Sequence, residues 1–389
     1  MVKQMTGVNP RVLQWARTRA GLSIYDVALA LKRTEAEVIA WEAGDGAPTF
    51  AQLDKLAYTL YKRPLAVFYF PEPPDEPTPS SEFRTLPDFE ISALSSDTLY
   101  AVRQAEAMQL ALKELNDGRN PSARRLFDDL KTDTNFAPTE LALRARHYLG
   151  IDLDQQSKWL NTSDAFKHWR QSVEDCGVFV FKRSFKQSQI SGFCLVDAEF
   201  PVIYINNSTP ASRQCFTLFH ELGHILLNAS GVTKTDDRYI DTLMGSNRDI
   251  EVQANKFASE LLVPSRDFDA MIGPNASDDF FIEKAARKYN VSREVILRKL
   301  LDRDMVSEDE YRVRVNEWNK QHAAERKSKK SGGNYYATQA TYLGGKYLQL
   351  AFSRYYQGKC GVEQLADYLN VKVRSIPSLE QYALRGRGL

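Results

Sequence analysis

The chain has 389 residues, of which 43% are hydrophobic and 26% charged, a balance that suits a globular protein of two to four domains. The 51 Lys and Arg against 50 Asp and Glu leave a net charge of +1, so global electrostatics make no case for a nucleic-acid binder. No apolar run reaches membrane-spanning length and the N-terminus has no secretory h-region, so a cytoplasmic protein with no membrane partner is expected. Cys176, Cys194, Cys215 and Cys360 show no Cys-x-x-Cys pairing and read as buried thiols.

Residues 1–71 read as a first domain of short helices. Asn9-Pro10 starts one that stops at Gly21. Ser23 caps a second with Val27, Ala28 and Leu31 inward. Lys32 and Arg33 form a tight turn to Thr34, the cap of a third helix carrying Val38, Ile39 and Trp41. Leu53, Leu56, Ala57 and Leu60 define a fourth. The order Leu22-Ser23, Ala28, Leu31, Val38, Trp41-Glu42-x-Gly44, Pro48-Thr49, Leu53 and Leu56-Ala57 resembles the Cro/repressor (XRE-type) helix-turn-helix family. That resemblance implies contact with double-stranded DNA, with Lys32, Arg33 and Thr34 as candidate contacts. The reading helix departs from the pattern. Glu35, Ala36, Glu37 and Ala40 stand where basic or amide side chains usually read bases, and Ile24 replaces a polar phosphate contact. DNA binding therefore competes with protein docking as the use of this domain.

Residues 72–150 read as a Pro-rich linker followed by a helical connector. Glu82-Phe83-Arg84-Thr85 suggests a structural anchor, and Leu99, Val102, Ala105, Met108, Leu112 and Leu115 mark an amphipathic helix. His147 lacks a spaced partner and reads as a packed or surface residue. Within 151–325, a helix from Asp164 to Cys176 precedes three strands at 177–182, 190–196 and 201–206. His168 lies on that helix; a surface or core position is favoured over contact with a substrate oxyanion.

The run Phe216 to Leu227 contains His220-Glu221-Leu222-Gly223-His224 inside an apolar helical pattern. Histidines four apart project from one helix face, which suits two ligands of one zinc ion. Glu221 is placed to take a proton from water activated by the metal. Thr209-Pro210 is expected to cap this helix. A second helix carries Glu251, Ala254, Asn255 and Ala258 on one face; its small residues permit close approach, and Glu251 is the candidate third ligand. Asn255, one turn on, is expected to orient a ligand from behind. The polar stretch from Asn228 to Asp249 reads as a mobile loop, with Tyr239 more simply a loop residue than an oxyanion donor.

His220-Glu221-Leu222-Gly223-His224 followed by Glu251-x-x-Ala254-Asn255-x-Phe257-Ala258-x-x-Leu261-Leu262-x-Pro264 resembles the ImmA/IrrE family of metallopeptidases. The resemblance implies a gluzincin-like minimal domain with His220, His224 and Glu251 on Zn2+ (Mn2+ or another divalent ion being the alternative) and Glu221 as general base. The fold class expected is mainly α with a small β-sheet (α+β). Residues 326–389 form a basic linker and a helical tail, with a run through Tyr342, Leu343, Tyr347, Leu348, Ala351 and Phe352 and a short helix near Leu365. The function implied is a zinc endopeptidase that cleaves a helix-turn-helix repressor or antitoxin, relieving repression in a stress, phage or mobile-element response. The alternative is a transcription regulator or antitoxin whose metallopeptidase-like domain senses a ligand or partner without proteolysis.

Overall fold

The computed structural model describes residues 4–76, 94–130, 137–187, 189–229, 232–234, 240, 243–328 and 334–385. Phe83, Arg84, Tyr239 and the glycine end of the basic run (329–333) lie outside the described residues. The architecture is mainly helical with one four-stranded mixed sheet, the α+β class expected. The chain divides into two compact units, residues 1–104 with 185–187, and residues 105–184 with 188–389.

The first unit begins with α1 (Pro10–Arg19), α2 (Ile24–Leu31), α3 (Glu35–Ala43) and α4 (Phe50–Asp54), which continues as a wider turn over Lys55–Leu60. Their starts are set by side chains that satisfy the first free backbone N–H groups. Asn9 accepts from the Arg11 amide, while Ser23 with Asp26, Thr34 with Glu37, and Thr49 with Gln52 make reciprocal capping boxes. Val12, Leu13, Ala16, Val27, Ala28, Val38, Trp41, Leu53 and Phe68 close one core. The Arg17 guanidinium grips the Glu42 carboxylate at 2.7 and 2.9 Å, tying α1 to the end of α3. Ile39 was expected beside Val38 and Trp41 but is exposed, because those two neighbours take the inward face of the helix.

Helix α5 (Ser96–Leu115) spans the division between the units. The second unit continues through α6 (Leu126–Asp129), α7 (Pro138–Leu149), α8 (Leu153–Ser157) and α9 (Thr162–Asp175). Strands β1 (Phe179–Arg183), β2 (Ile190–Leu195) and β3 (Val202–Asn206) follow, then α10 (Ala211–Leu226), β4 (Val232–Lys234) and α11 (Gly245–Leu262). The sheet order is β1-β3-β2-β4; β1 runs parallel to β3, and β2 antiparallel to both β3 and β4. All three longer strands are buried along nearly their whole length, as expected of strands covered on both faces. Helix α10 packs on the sheet, with α9 on one flank and α11 on the other.

Three expectations need correction. Thr209 does not cap α10; its hydroxyl donates to the Asn206 carbonyl at 2.8 Å, and Pro210 holds the cap position with no side-chain bond. The stretch from Asn228 to Asp249 is not simply a loop, because β4 adds a fourth strand and α11 starts at Gly245. The apolar run through Tyr342 and Phe352 is two helices, α16 (Tyr335–Leu343) and α17 (Gly345–Tyr356), broken at Gly344.

Helices α12 (Ser265–Asp269), α13 (Asp279–Tyr289), α14 (Arg293–Leu301) and α15 (Glu308–Ser328) lie between α11 and this tail, which ends in α18 (Val362–Tyr368) and α19 (Ile376–Arg385). The end of α11 is held by a buried ion pair: Lys299 Nζ donates to Glu260 Oε2 at 2.8 Å, and Ser265 adds two bonds to the same carboxylate. Burial pushes the Glu260 carboxyl up, but the Lys299 and Ser265 bonds outweigh it and the group titrates below its ordinary 4.5. Its contribution to stability is therefore present above that value and lost as pH falls through the depressed one. Lys299→Met should destabilise the protein by about 3 kcal/mol at neutral pH, because it strands a buried carboxylate. Urea unfolding at neutral and acidic pH should show the gap to the parent narrowing once Glu260 protonates.

Candidate metal centre

The site is built where two helices of the second unit cross. Helix α10 is buried from Gln214 to Leu226, since apolar residues surround its two histidines on every side. Gly223 lies at the crossing. A Cβ there would meet Phe257 Cδ1 at 3.2 Å and the Ala254 Cα at 3.3 Å, so a glycine facing an alanine is what lets α11 come this near. One turn before Ala254, Glu251 reaches the imidazoles.

The three side chains form a triangle in which the Glu251 carboxylate turns one oxygen to each imidazole. His220 Nε2 and His224 Nε2 are 3.0 Å apart, His220 Nε2 and Glu251 Oε2 3.2 Å, and His224 Nε2 and Glu251 Oε1 3.3 Å. Tetrahedral zinc with bonds of about 2.0–2.1 Å has ligand atoms about 3.3 Å apart, so both imidazole-to-carboxylate separations are of the size such a shell requires. His220, His224 and Glu251 form the one cluster of three or more such groups among the described residues that could hold a metal ion. All three are fully buried. The Asn255 amide oxygen lies 2.8 Å from His220 Nδ1. An amide oxygen only accepts, so Nδ1 carries the proton and Nε2 presents its lone pair to the triangle.

The electrostatics separate the two carboxylates. Burial pushes the Glu251 carboxyl up, but the adjacent imidazoles, His224 foremost, outweigh it and hold the group well below the usual carboxylate range. Burial opposes charge on His224, yet the adjacent Glu251 raises its pKa above the ordinary value. Glu221 shifts the other way. Burial raises it, and the weaker pull of His224, His220, Thr233 and Cys194 does not reverse the shift. Its Oε1 accepts from the Thr233 hydroxyl on β4. Thr233 escaped the sequence reading, because nothing in that polar stretch marks it as a strand.

The other candidates lie elsewhere. Lys32 ends α2 in the left-handed conformation at φ 55°, the Thr34 hydroxyl is used as a helix cap, and Arg33 pairs with Glu37 at 3.5 Å. His168 is exposed, stacked on Trp159 at 5.1 Å and 3.7 Å from Asp164. His147 is exposed on α7.

Residues 173–301 match the family model of the IrrE N-terminal-like domain, a peptidase M78 family. The matched span holds the sheet, α10 and α11, and ends with α14. A search of curated proteins finds no match to the chain. The IrrE N-terminal-like match supports a metallopeptidase role for this region, and with the His-His-Glu cluster it supports a divalent metal. Among the described residues no helix is long and apolar enough to cross a membrane.

The bond behind His220 gives a direct test. Asn255→Ala should leave the fold intact and weaken zinc affinity about 10- to 100-fold, measured by competition with a chromogenic chelator.

Proposed function

We propose that the protein is a zinc-dependent endopeptidase with His220, His224 and Glu251 as the metal ligands and Glu221 as the general base. The observation that carries the reading is the grouping of two imidazoles from the helix that also carries Glu221 with the Glu251 carboxylate from α11, at separations of 3.0 to 3.3 Å. When bound, zinc would supply Lewis acidity, polarising the scissile carbonyl and activating the attacking water. Glu221 takes the proton from that water and delivers it to the leaving amine nitrogen. Asn255 fixes the ring of His220, so the lone pair keeps its aim.

The substrate proposed is a regulatory protein, a helix-turn-helix repressor or an antitoxin, whose cleavage would lift repression. The first unit is read as a helix-turn-helix of the Cro/repressor type, because α2 and α3 are joined by three residues with a cap at each start. A second use of this unit is favoured by its surface. Tyr25 and Leu29 on α2 and Ile39 on α3 are exposed, and α3 starts with Glu35 and Glu37. An apolar surface edged by carboxylates suits a protein partner better than a phosphate backbone.

Zinc-loaded protein incubated with a candidate repressor should yield discrete fragments. Glu221→Gln should slow their appearance about 100-fold or more while retaining zinc. His220→Ala should lose the metal in elemental analysis. Equal cleavage by parent and Glu221→Gln would overturn the mechanism.

A further inference from the structure

His220, Glu221, His224 and Glu251 are all fully buried, yet an endopeptidase must seat a polypeptide beside them. The element that closes the approach from the sheet is β4. It follows α10 in sequence and pairs antiparallel with β2, placing Ile190 opposite Lys234, Gly192 opposite Thr233 and Phe193 opposite Val232. The edge of β2 lies beside the motif helix. A strand edge in that position is what an extended peptide would use, because its main-chain donors and acceptors hold a second chain in register. Here a segment of the same chain takes the place.

Two bonds from α10 reinforce the pairing. The Thr233 hydroxyl donates to the Glu221 carboxylate, and Arg213 Nη2 donates to the Lys234 carbonyl at 2.7 Å. Gly192 explains how Thr233 arrives there. A Cβ at Gly192 would lie 2.6 Å from Thr217 Cγ2 and 2.9 Å from the Tyr204 carbonyl, so β2 is pressed onto α10 at this point. The side chain opposite, on the same face of the sheet, is carried over Glu221. The pairing is also short. β4 has three residues, and the register slips between Ile190 and Gly192, leaving Ser191 bulged. A bulged three-residue edge strand gives up few hydrogen bonds when it leaves.

We infer that β4 is an autoinhibitory stand-in for the substrate strand, holding the edge of β2 and the hydroxyl contact to Glu221 until an incoming peptide replaces it. The inference rests on the peptidase reading and specifies how that site is regulated. Replacement exchanges one set of strand hydrogen bonds for another and frees Glu221 Oε1 for water.

The test locks the strand. Ile190→Cys combined with Lys234→Cys places a thiol on each member of a register pair, and Thr233→Val removes the hydroxyl while keeping a β-branched side chain. The first readout is zinc extraction by a chromogenic chelator, which needs no substrate. The oxidised pair should release zinc at least about tenfold more slowly than the same protein reduced with a phosphine, and Thr233→Val should release it faster than the parent. The second readout is hydrolysis of fluorescein-labelled casein, which the disulfide should abolish and reduction restore. Equal zinc release from the oxidised and reduced pair, or casein cleavage undiminished by the disulfide, would overturn the inference. Should the cysteine pair fail to fold, unchanged zinc release from Thr233→Val overturns it instead. If zinc release follows the lock while the zinc-loaded, reduced protein leaves casein intact, the peptidase reading falls and the gating of the metal site by β4 stands.

Discussion

The close crossing of α10 and α11 at Gly223 and Ala254 is the contact on which the site depends. It brings a carboxylate and two imidazoles into a dry core. Removing an ion from water costs several kcal/mol even after the protein relaxes, so this grouping persists only when its members neutralise one another or share a cation. The shifts of Glu251 downward and His224 upward express that demand: each is held charged by the other. A divalent ion answers it more completely, since one centre of charge meets all three donors. A side chain at residue 223 would push α11 outward and move Glu251 away from the triangle.

Glu221 and Glu251 show how a fold gives two chemically identical side chains opposite properties. Glu251 sits against two imidazoles and loses basicity. Glu221 projects toward β4, where the Thr233 hydroxyl is its partner, and burial raises its pKa. Paired carboxylates whose environments drive them apart divide the labour between charge and proton transfer. The division follows from helix geometry. Residues 220 and 224 share a face toward α11, whereas residue 221 is rotated about 100° around the axis and faces the sheet.

The cluster was legible because it is written in local periods. A four-residue spacing puts His220 and His224 on one face, and Glu251, Ala254, Asn255 and Ala258 repeat at the same pitch on α11. The helix starts at Asn9, Ser23 and Thr34 were legible for a similar reason, since each capping bond is made within a few residues. What escaped was non-local. Val232, Thr233 and Lys234 make a strand only because β2 offers an edge, and the polar residues around them carry no alternation to announce it. Thr209 had the right chemistry for a cap, but Pro210 takes the cap position and the Thr209 hydroxyl donates to the Asn206 carbonyl. Ile39 was misplaced because an apolar side chain next to two core residues is read as core unless the exact rotation of the helix is known.

The sheet itself explains why both of its edges are occupied. Four strands in the order β1-β3-β2-β4 leave two outer rows of backbone groups. Bare edges invite pairing with other chains, so a stable protein covers them. On the β1 side the cover is the tail: α16 packs against the strand, Tyr347 of α17 stacks edge-on to Phe181 at 5.1 Å, and Arg170 donates to the Thr341 carbonyl at 2.7 Å. These are buried aromatic and charge-assisted contacts, costly to break. On the β2 side the cover among the described residues is three residues with a bulge. The two edges are thus protected unequally, and the weakly protected one is the edge beside Glu221. Under the proposed reading that asymmetry has a use, since a fold that admits an extended chain at one edge and refuses it at the other needs one edge weakly covered and the other firmly.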